Sequence, residues 1–256
     1  MVIQALIAAY CRPERLELTL DGLRRVNVPC GDKLDILVVD DGSEPPLVEL
    51  CGKYDADCIR HCRNLGTSAA RRTLYSQATG DFIWTLDSDM YPDPNCIARY
   101  LEVVEKGVAG CGRMNKMEDV EADYVINIDP EYRILFLLKN SYPEHRHDWP
   151  SDKTARADRP WEWAFTGNLF FYGDDFRAGG GVPHEFKNWG HDDTVLVWNV
   201  CKKTPMKFVC CNSAQTWHIQ SDRVRLGNSG NTGSEGYNKT ALENAERMRV
   251  HVEKNS

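Results

Sequence analysis

Apolar runs and polar breaks alternate along the first hundred-odd residues, and their lengths predict alternating strands and helices. Residues 2–10 form an apolar, strand-like run. Pro13 then stands where a first helical turn tolerates it, and Leu16, Leu20 and Leu23 make a stripe at helical spacing. Residues 34–40 read as a buried strand that ends in the turn Asp40-Asp41-Gly42-Ser43. A short helix is predicted over 45–54, a short strand over 58–61, and an Ala- and Arg-rich helix over 67–79, stopped by Gly80. Phe82-Ile83-Trp84-Thr85-Leu86 is a further buried strand, followed by a helix over 95–106. Such alternation predicts an α/β fold built on a largely parallel sheet with right-handed crossovers and helices on both faces.

Beyond Met114 the pattern changes. Strand-like pieces over 124–128, 133–138 and 164–172 surround a long polar stretch, 141–159. A helix over 192–203, a strand over 206–211 running towards Trp217-His218, and a polar helix over 235–253 follow. Residues 227–236, rich in Gly, Asn, Ser and Thr, have the composition of a flexible chain.

Composition narrows the classes. No apolar run approaches the ~20 residues of a membrane span. The chain enters its first apolar run without a basic leader, so no secretory signal is visible and a cytoplasmic location is expected. A net charge of −7 gives no support to a nucleic-acid-coating surface. The ten cysteines are dispersed, and the close pair Cys58 and Cys62 has no second pair at zinc spacing. They read as mostly buried thiols of a reducing compartment.

The candidate chemistry lies at strand ends. Asp87 and Asp89, spaced i, i+2 around Ser88, put two carboxylates on one side where an apolar strand meets a loop. Two such charges repel unless a cation sits between them, and a hard divalent ion carrying phosphates suits an oxygen-rich, partly open site. Asp40 and Asp41 end the preceding long strand, at the carboxyl edge where ligands bind in such sheets. Asp192 and Asp193 open a predicted helix, whose macrodipole keeps a carboxylate ionised. Ordinary explanations stand beside each: turn chemistry selects Asp40-Asp41-Gly42, helix capping selects Asp192, and Trp161 and Trp163 are as suited to a core as to a sugar.

Five segments resemble, in order, the motifs of the GT-A glycosyltransferases of the inverting family-two type. They are Ala8-Ala9-Tyr10 with Arg12-Pro13, Asp40-Asp41-Gly42-Ser43, Asn64-x-Gly66 with Ala70-Arg71, Asp87-Ser88-Asp89, and Trp189-Gly190-His191-Asp192-Asp193. The resemblance implies a GT-A fold: a Rossmann-like, mostly parallel sheet with a mixed acceptor-binding half. It divides the chain into a nucleotide-sugar-binding half (1–115), an acceptor-binding and catalytic half of the same domain (116–220), and a lid segment with a C-terminal helix (221–256). The implied activity is metal-dependent transfer from a UDP-sugar to an acceptor hydroxyl on a glycan, peptide or small molecule.

Residue by residue, the resemblance assigns the nucleotide to Ala8, Tyr10, Arg12, Asp40, Asp41, Asn64, Arg71, Asp87 and Ser88, with Asp41 preferred for the uracil N–H. It gives Mn²⁺ or Mg²⁺ to Asp89, with His218 as a further ligand and Asp87 on the ribose or a metal-bound water. The acceptor falls to Trp189, Gly190, Trp163 and Asp192, and the general base to Asp193. The family carries Glu where this chain has Asp192, which leaves the division between the two aspartates open. The Gly179-Gly180-Gly181 turn is expected near them, and a lid over 223–236 would bring Arg223 and Arg225 to the diphosphate. A nucleotidyltransferase-like enzyme on a similar sheet would need a glycine-rich basic loop after the first strand, and residues 8–15 contain no glycine. A non-catalytic nucleotide-sugar-binding module would not need the Asp192-Asp193 pair.

Overall fold

The computed structural model describes residues 1–144, 154–155, 160–188, 190–219 and 234–255. One sheet runs through it in the order β3-β2-β1-β4-β9-β6-β10-β5. These strands are β1 (Val2–Ala9), β2 (Lys33–Asp40), β3 (Asp57–Arg60), β4 (Phe82–Asp87), β5 (Met90–Pro92), β6 (Val108–Lys116), β9 (Asn168–Tyr172) and β10 (Lys207–His218). The two-residue strands β7 (Tyr142–Pro143) and β8 (Thr154–Ala155) pair with β6 and β10. β3, β2, β1 and β4 are mutually parallel, whereas β9 runs antiparallel to both β4 and β6.

Side-chain parity explains the two layers. Ile3, Ala5 and Ile7 of β1, Ile36 and Val38 of β2, and Phe82, Trp84 and Leu86 of β4 join one buried cluster. That cluster is covered by α1 (Pro13–Arg24), α2 (Val48–Lys53) and α4 (Cys96–Leu101). Leu6, Leu37, Val39 and Ile83 face the opposite cluster, under α3 (Thr67–Ser76), α7 (Gly173–Gly179) and α8 (Asp192–Lys203). Burial on both faces is why these strands are apolar without alternation.

The segments 124–128 and 133–138, expected as strands, are helical: α5 (Asp119–Val125) and α6 (Pro130–Asn140). Asp129 caps α6 by accepting from the Glu131 N–H at 3.0 Å, and Pro130 takes the first-turn position. Arg133 and Leu137 are buried one helical turn apart, a spacing that the neighbouring exposed Leu135 and Leu138 disguise as a continuous apolar run. The helix expected over 95–106 ends at Leu101, before Val103-Val104 and the left-handed Gly107 (φ 81°). The last helix, α9 (Ser234–Asn255), spans the expected 235–253. No described helix is long and apolar enough to cross a membrane. All ten cysteines are free thiols.

Asn168 fastens the sheet where β9 enters it. Its Oδ1 accepts from Trp84 Nε1 at 3.0 Å and from the Tyr100 hydroxyl at 2.7 Å, while its Nδ2 donates to Ala214 O at 3.0 Å. Ala214 lies in the irregularity of β10, where the register with β6 shifts between Cys211 and Gln215. Gly112 stands against the same amide, since a Cβ there would lie 2.2 Å from Asn168 Nδ2. Asn168→Leu keeps the volume but orphans several buried polar groups, so we expect a loss of about 3 kcal/mol in urea unfolding. A loss under about 1 kcal/mol would contradict the role assigned to this amide.

Candidate active site

A cavity of about 610 Å³ opens at the carboxyl ends of β1 and β4, a size suited to a small-molecule or cofactor ligand. Its floor is Ala8–Tyr10, and its walls include Asp41, Arg71, Asp87, Asp89, Asp193 and His218. The parallel register sets Ala8 beside Asp87. Tyr10, the first residue past β1, lines the cavity and is 46% exposed. Cys11 and Arg12 both hold left-handed backbone (φ 54°), a strained pair at the cavity edge. Among the described residues the Arg12 guanidinium has no hydrogen bond or ion pair, and it faces the same cavity.

Parity separates Asp40 from Asp41. Asp40 shares the side of Ile36 and Val38, is fully buried, and accepts from the backbone N–H groups of Ser43 and Leu47 at 2.8 and 3.1 Å. It braces the turn and does not line the cavity. Asp41 turns inward: its carboxylate accepts from the Leu65 and Gly66 backbone N–H groups and from His61, and it lines the cavity. Asn64, also expected at the nucleotide, is exposed and caps the Gly66 N–H at 3.0 Å, outside the lining.

Asp87 and Asp89 point to different partners. Asp87 follows Ile83 and Thr85 on the α3 side, where its Oδ1 accepts from Arg71 Nη2 at 2.7 Å. Asp89 lies in the turn before β5. Because β5 pairs antiparallel with β10, His218 stands opposite Met90, and the Ile219 N–H donates to Asp89 O at 2.8 Å. This backbone clamp brings His218 Nε2 to 3.4 Å from Asp89 Oδ2. Burial alone would raise the Asp89 pKa, but the His218 charge and hydrogen bond hold it below the ordinary carboxylate value. Burial would likewise lower His218, and Asp89 outweighs it and raises that pKa.

The Asp89–His218 pair fits a divalent ion. A carboxylate oxygen and an imidazole nitrogen 3.4 Å apart are within a few tenths of an ångström of the roughly 3.0 Å between neighbouring ligands of an octahedral ion bound at about 2.1 Å. No group of three or more His, Cys, Asp or Glu placed to hold a metal occurs among the described residues. An ion held by this pair would leave positions for ligand and water oxygens, as phosphate-carrying ions do.

Arg71 ties this edge to α8. Its guanidinium is buried, donates to Asp87, and makes a close ion pair with Asp192. Burial would lower its pKa, but Asp192 and then Asp87 hold it well above the ordinary value. Asp192 Oδ1 also accepts from the Gly190 N–H at 3.1 Å. Asp193 differs. Its Oδ1 caps Thr194, through N–H at 2.7 Å and hydroxyl at 3.3 Å, and its Oδ2 takes no hydrogen bond from the described residues. Burial, and after it the charge of Asp192, raise the Asp193 pKa above that of an ordinary carboxylate.

Other expectations land elsewhere. Trp163 is buried against Phe208 in the core, with ring centroids 6.3 Å apart, and Trp161 lines the cavity in its place. The Gly179–Gly181 turn packs along the body of α8, where Asn199 and Lys203 donate to its carbonyls, away from Asp192 and Asp193. Trp189 and residues 223–233 of the expected lid over 223–236, with Arg223 and Arg225, lie outside the described residues. Three further lining residues are given no role by the sequence motifs. His191, inside the motif of its neighbours, is left-handed (φ 59°), and its buried Nδ1 has no hydrogen-bond partner among the described residues. Lys116 and Thr166 line the cavity without any local signature.

A model of the family described as glycosyl transferase family 2 matches residues 5–159. The chain belongs to glycosyl transferase family 2. The match runs from within β1 to just past β8 and so includes Asp41, Asp87 and Asp89, while Asp192, Asp193 and His218 lie beyond it. The undecaprenyl-phosphate 4-deoxy-4-formamido-L-arabinose transferase of Pectobacterium atrosepticum is 32% identical over 42% of this chain and 34% of its own length. The transferase of the same name from Salmonella paratyphi B is 30% identical over 49% of this chain and 42% of its own length. The chain thus spans less than half the length of either relative.

Solved structures share the fold at low identity. TarS of S. aureus in complex with UDP superposes with a TM-score of 0.62 at 14% identity, covering 85% of this family 2 chain and 60% of its own. The Pyrobaculum calidifontis mannosyltransferase PcManGT, in complex with GDP-Man and Mn²⁺, gives 0.56 at 15%, covering 89% and 58%. GalNAc-T7 with UDP, GalNAc and Mn²⁺ gives 0.57 at 12%, covering 85% and 44%. The family 2 chain therefore has the GT-A fold.

Proposed function

We propose that this chain is a metal-dependent glycosyltransferase that moves a sugar from a UDP-sugar to an acceptor hydroxyl with inversion of the anomeric centre. One observation carries the reading: the Asp89–His218 pair and Asp193 line the same cavity from three separate segments of the chain. A donor's diphosphate and an attacking hydroxyl each have a matching group there.

In this reading Tyr10 lies against the base and Asp41 accepts its N–H. Asp89 and His218 would hold Mn²⁺ or Mg²⁺, which supplies positive charge to the departing diphosphate. Arg12, at the cavity edge, adds a cation on the same side. Asp193, with one oxygen directed away from its Thr194 cap and its pKa raised by burial, takes the proton of the acceptor hydroxyl as it attacks from the far side. Asp192, held by Arg71 and the Gly190 N–H, orients the helix start that presents Asp193. Trp161 and His191 are placed to contact a sugar ring.

A second reading takes a phosphate as acceptor, as the names of the two relatives describe for those proteins. Lys116 and Arg12, both lining the cavity, favour it, and a phosphate dianion attacks without a general base.

The metal assignment is tested by calorimetry. Asp89→Asn should weaken Mn²⁺-dependent UDP binding by more than the roughly 10–100-fold that loss of a supporting residue costs a metal site, and His218→Ala should weaken it less. Unchanged affinity in Asp89→Asn would remove the metal from this position. A screen of UDP-sugars for slow, metal-dependent hydrolysis then identifies the donor.

A further inference from the structure

The Asp41 carboxylate is nearly filled by the protein itself. Its Oδ1 accepts from His61 Nδ1 at 2.7 Å and from the Leu65 N–H at 3.0 Å, and its Oδ2 accepts from the Gly66 N–H at 2.8 Å. A carboxylate offers about four lone-pair positions, so a ligand finds one, on Oδ2. Two of the three internal donors are backbone groups that the loop supplies whatever its sequence. His61 is the side chain that sets the count.

His61 is held at both ends. It follows β3, its backbone N–H donates to Asp40 O at 2.8 Å, and its Nε2 lies 2.9 Å from the Thr73 hydroxyl on α3. Ionised Asp41 only accepts, so the hydrogen-bond network assigns the proton to Nδ1 and leaves Nε2 to accept from Thr73. The imidazole is 11% exposed and anchored on both nitrogens, so it stays against Oδ1.

We propose that His61, by occupying Asp41 Oδ1, restricts the base slot to a nucleobase that presents a single N–H there, as uracil does, and turns guanine away. The inference rests on the nucleotide-sugar reading above. Uracil N3–H stands between two carbonyl oxygens and needs one acceptor. Guanine presents N1–H and an amino N–H side by side and needs both oxygens of a carboxylate. With Oδ1 taken, one of guanine's donors is desolvated without a partner, which amounts to roughly ten- to a hundredfold in affinity. Nothing in the Asp-Asp-Gly-Ser turn itself enforces this choice, because it comes from His61, far along the chain from Asp41.

Calorimetry of UDP and of GDP, each with Mn²⁺, tests the proposal on four proteins. The wild type should prefer UDP by roughly tenfold or more. His61→Ala frees one of the two occupied positions on Oδ1 while the Leu65 N–H stays on the other, so its UDP-to-GDP affinity ratio should fall by a comparable factor. His61→Gln, which can return an amide N–H to Asp41, should keep most of the preference. Thr73→Val loosens the far anchor and should shift the ratio in the same direction by less, and it serves if His61→Ala fails to fold. A merely structural His61 would weaken both nucleotides equally, and an unchanged ratio in folded His61→Ala overturns the proposal. So does a wild type that binds UDP and GDP alike. A wild type that binds neither overturns the nucleotide-sugar reading itself, a different failure from the first two.

Discussion

Asp193→Asn is expected to lower transfer to a hydroxyl acceptor by roughly 10²–10⁴-fold while leaving UDP affinity close to that of the wild type. Asparagine preserves the shape and the oxygen that caps Thr194, so the helix start should survive and the loss should fall on kcat. The pH profile gives an independent check. The base acts only when deprotonated, and burial and Asp192 raise its pKa. Wild-type activity should therefore decline with falling pH earlier than an exposed carboxylate would dictate, and the variant should lack that limb. Asp193→Asn working at the wild-type rate on hydroxyl acceptors would remove it as the base. If the same variant remains fast only with a phosphate acceptor, the second reading gains. NMR of the product should show an inverted anomeric centre, because retention would leave no task for a single base.

Removing the Arg71 charge should destabilise the fold itself. Arg71→Met leaves Asp192, 1% exposed, without its counter-charge and frees half-buried Asp87 beside it. Breaking a buried ion pair from one side costs about 3–5 kcal/mol, which denaturant unfolding would read directly. Pairing the change with Asp192→Asn should restore part of the loss, since the orphaned charge is then gone. Unfolding within about 1 kcal/mol of the wild type would mean that solvent or another cation replaces the guanidinium.

Much of this molecule is legible in the chain. The strands at 2–10, 34–40 and 82–87 and the helix at 192–203 follow from local periodicity, and side-chain parity sends Asp87 towards α3. The same parity, counted along Ile36, Val38 and Asp40, is enough to set Asp40 and Asp41 on opposite sides. What periodicity does not carry is pairing between distant segments. His218 meets Asp89 because β5 and β10 run side by side, and nothing local to either residue encodes that. Trp161 and Trp163 differ by two positions in a short 3₁₀ turn and its exit, where neither strand nor helix parity assigns the inward face. The α5 and α6 segments mislead because apolar residues lie on both their buried and exposed sides.

The insertion of β9 between β4 and β6 has a consequence for how the chain is made. On the ribosome, β1 to β4 emerge early and can assemble their parallel pairs. The open side of β4, with Ile83 and Trp84, then waits for a partner from residues 168–172. During that interval the nascent chain carries an unpaired apolar strand edge, the feature that invites association with other chains. Slowing synthesis after residue 116, or depleting chaperones that shield such edges, should lower the soluble yield of this protein far more than equal slowing after residue 172.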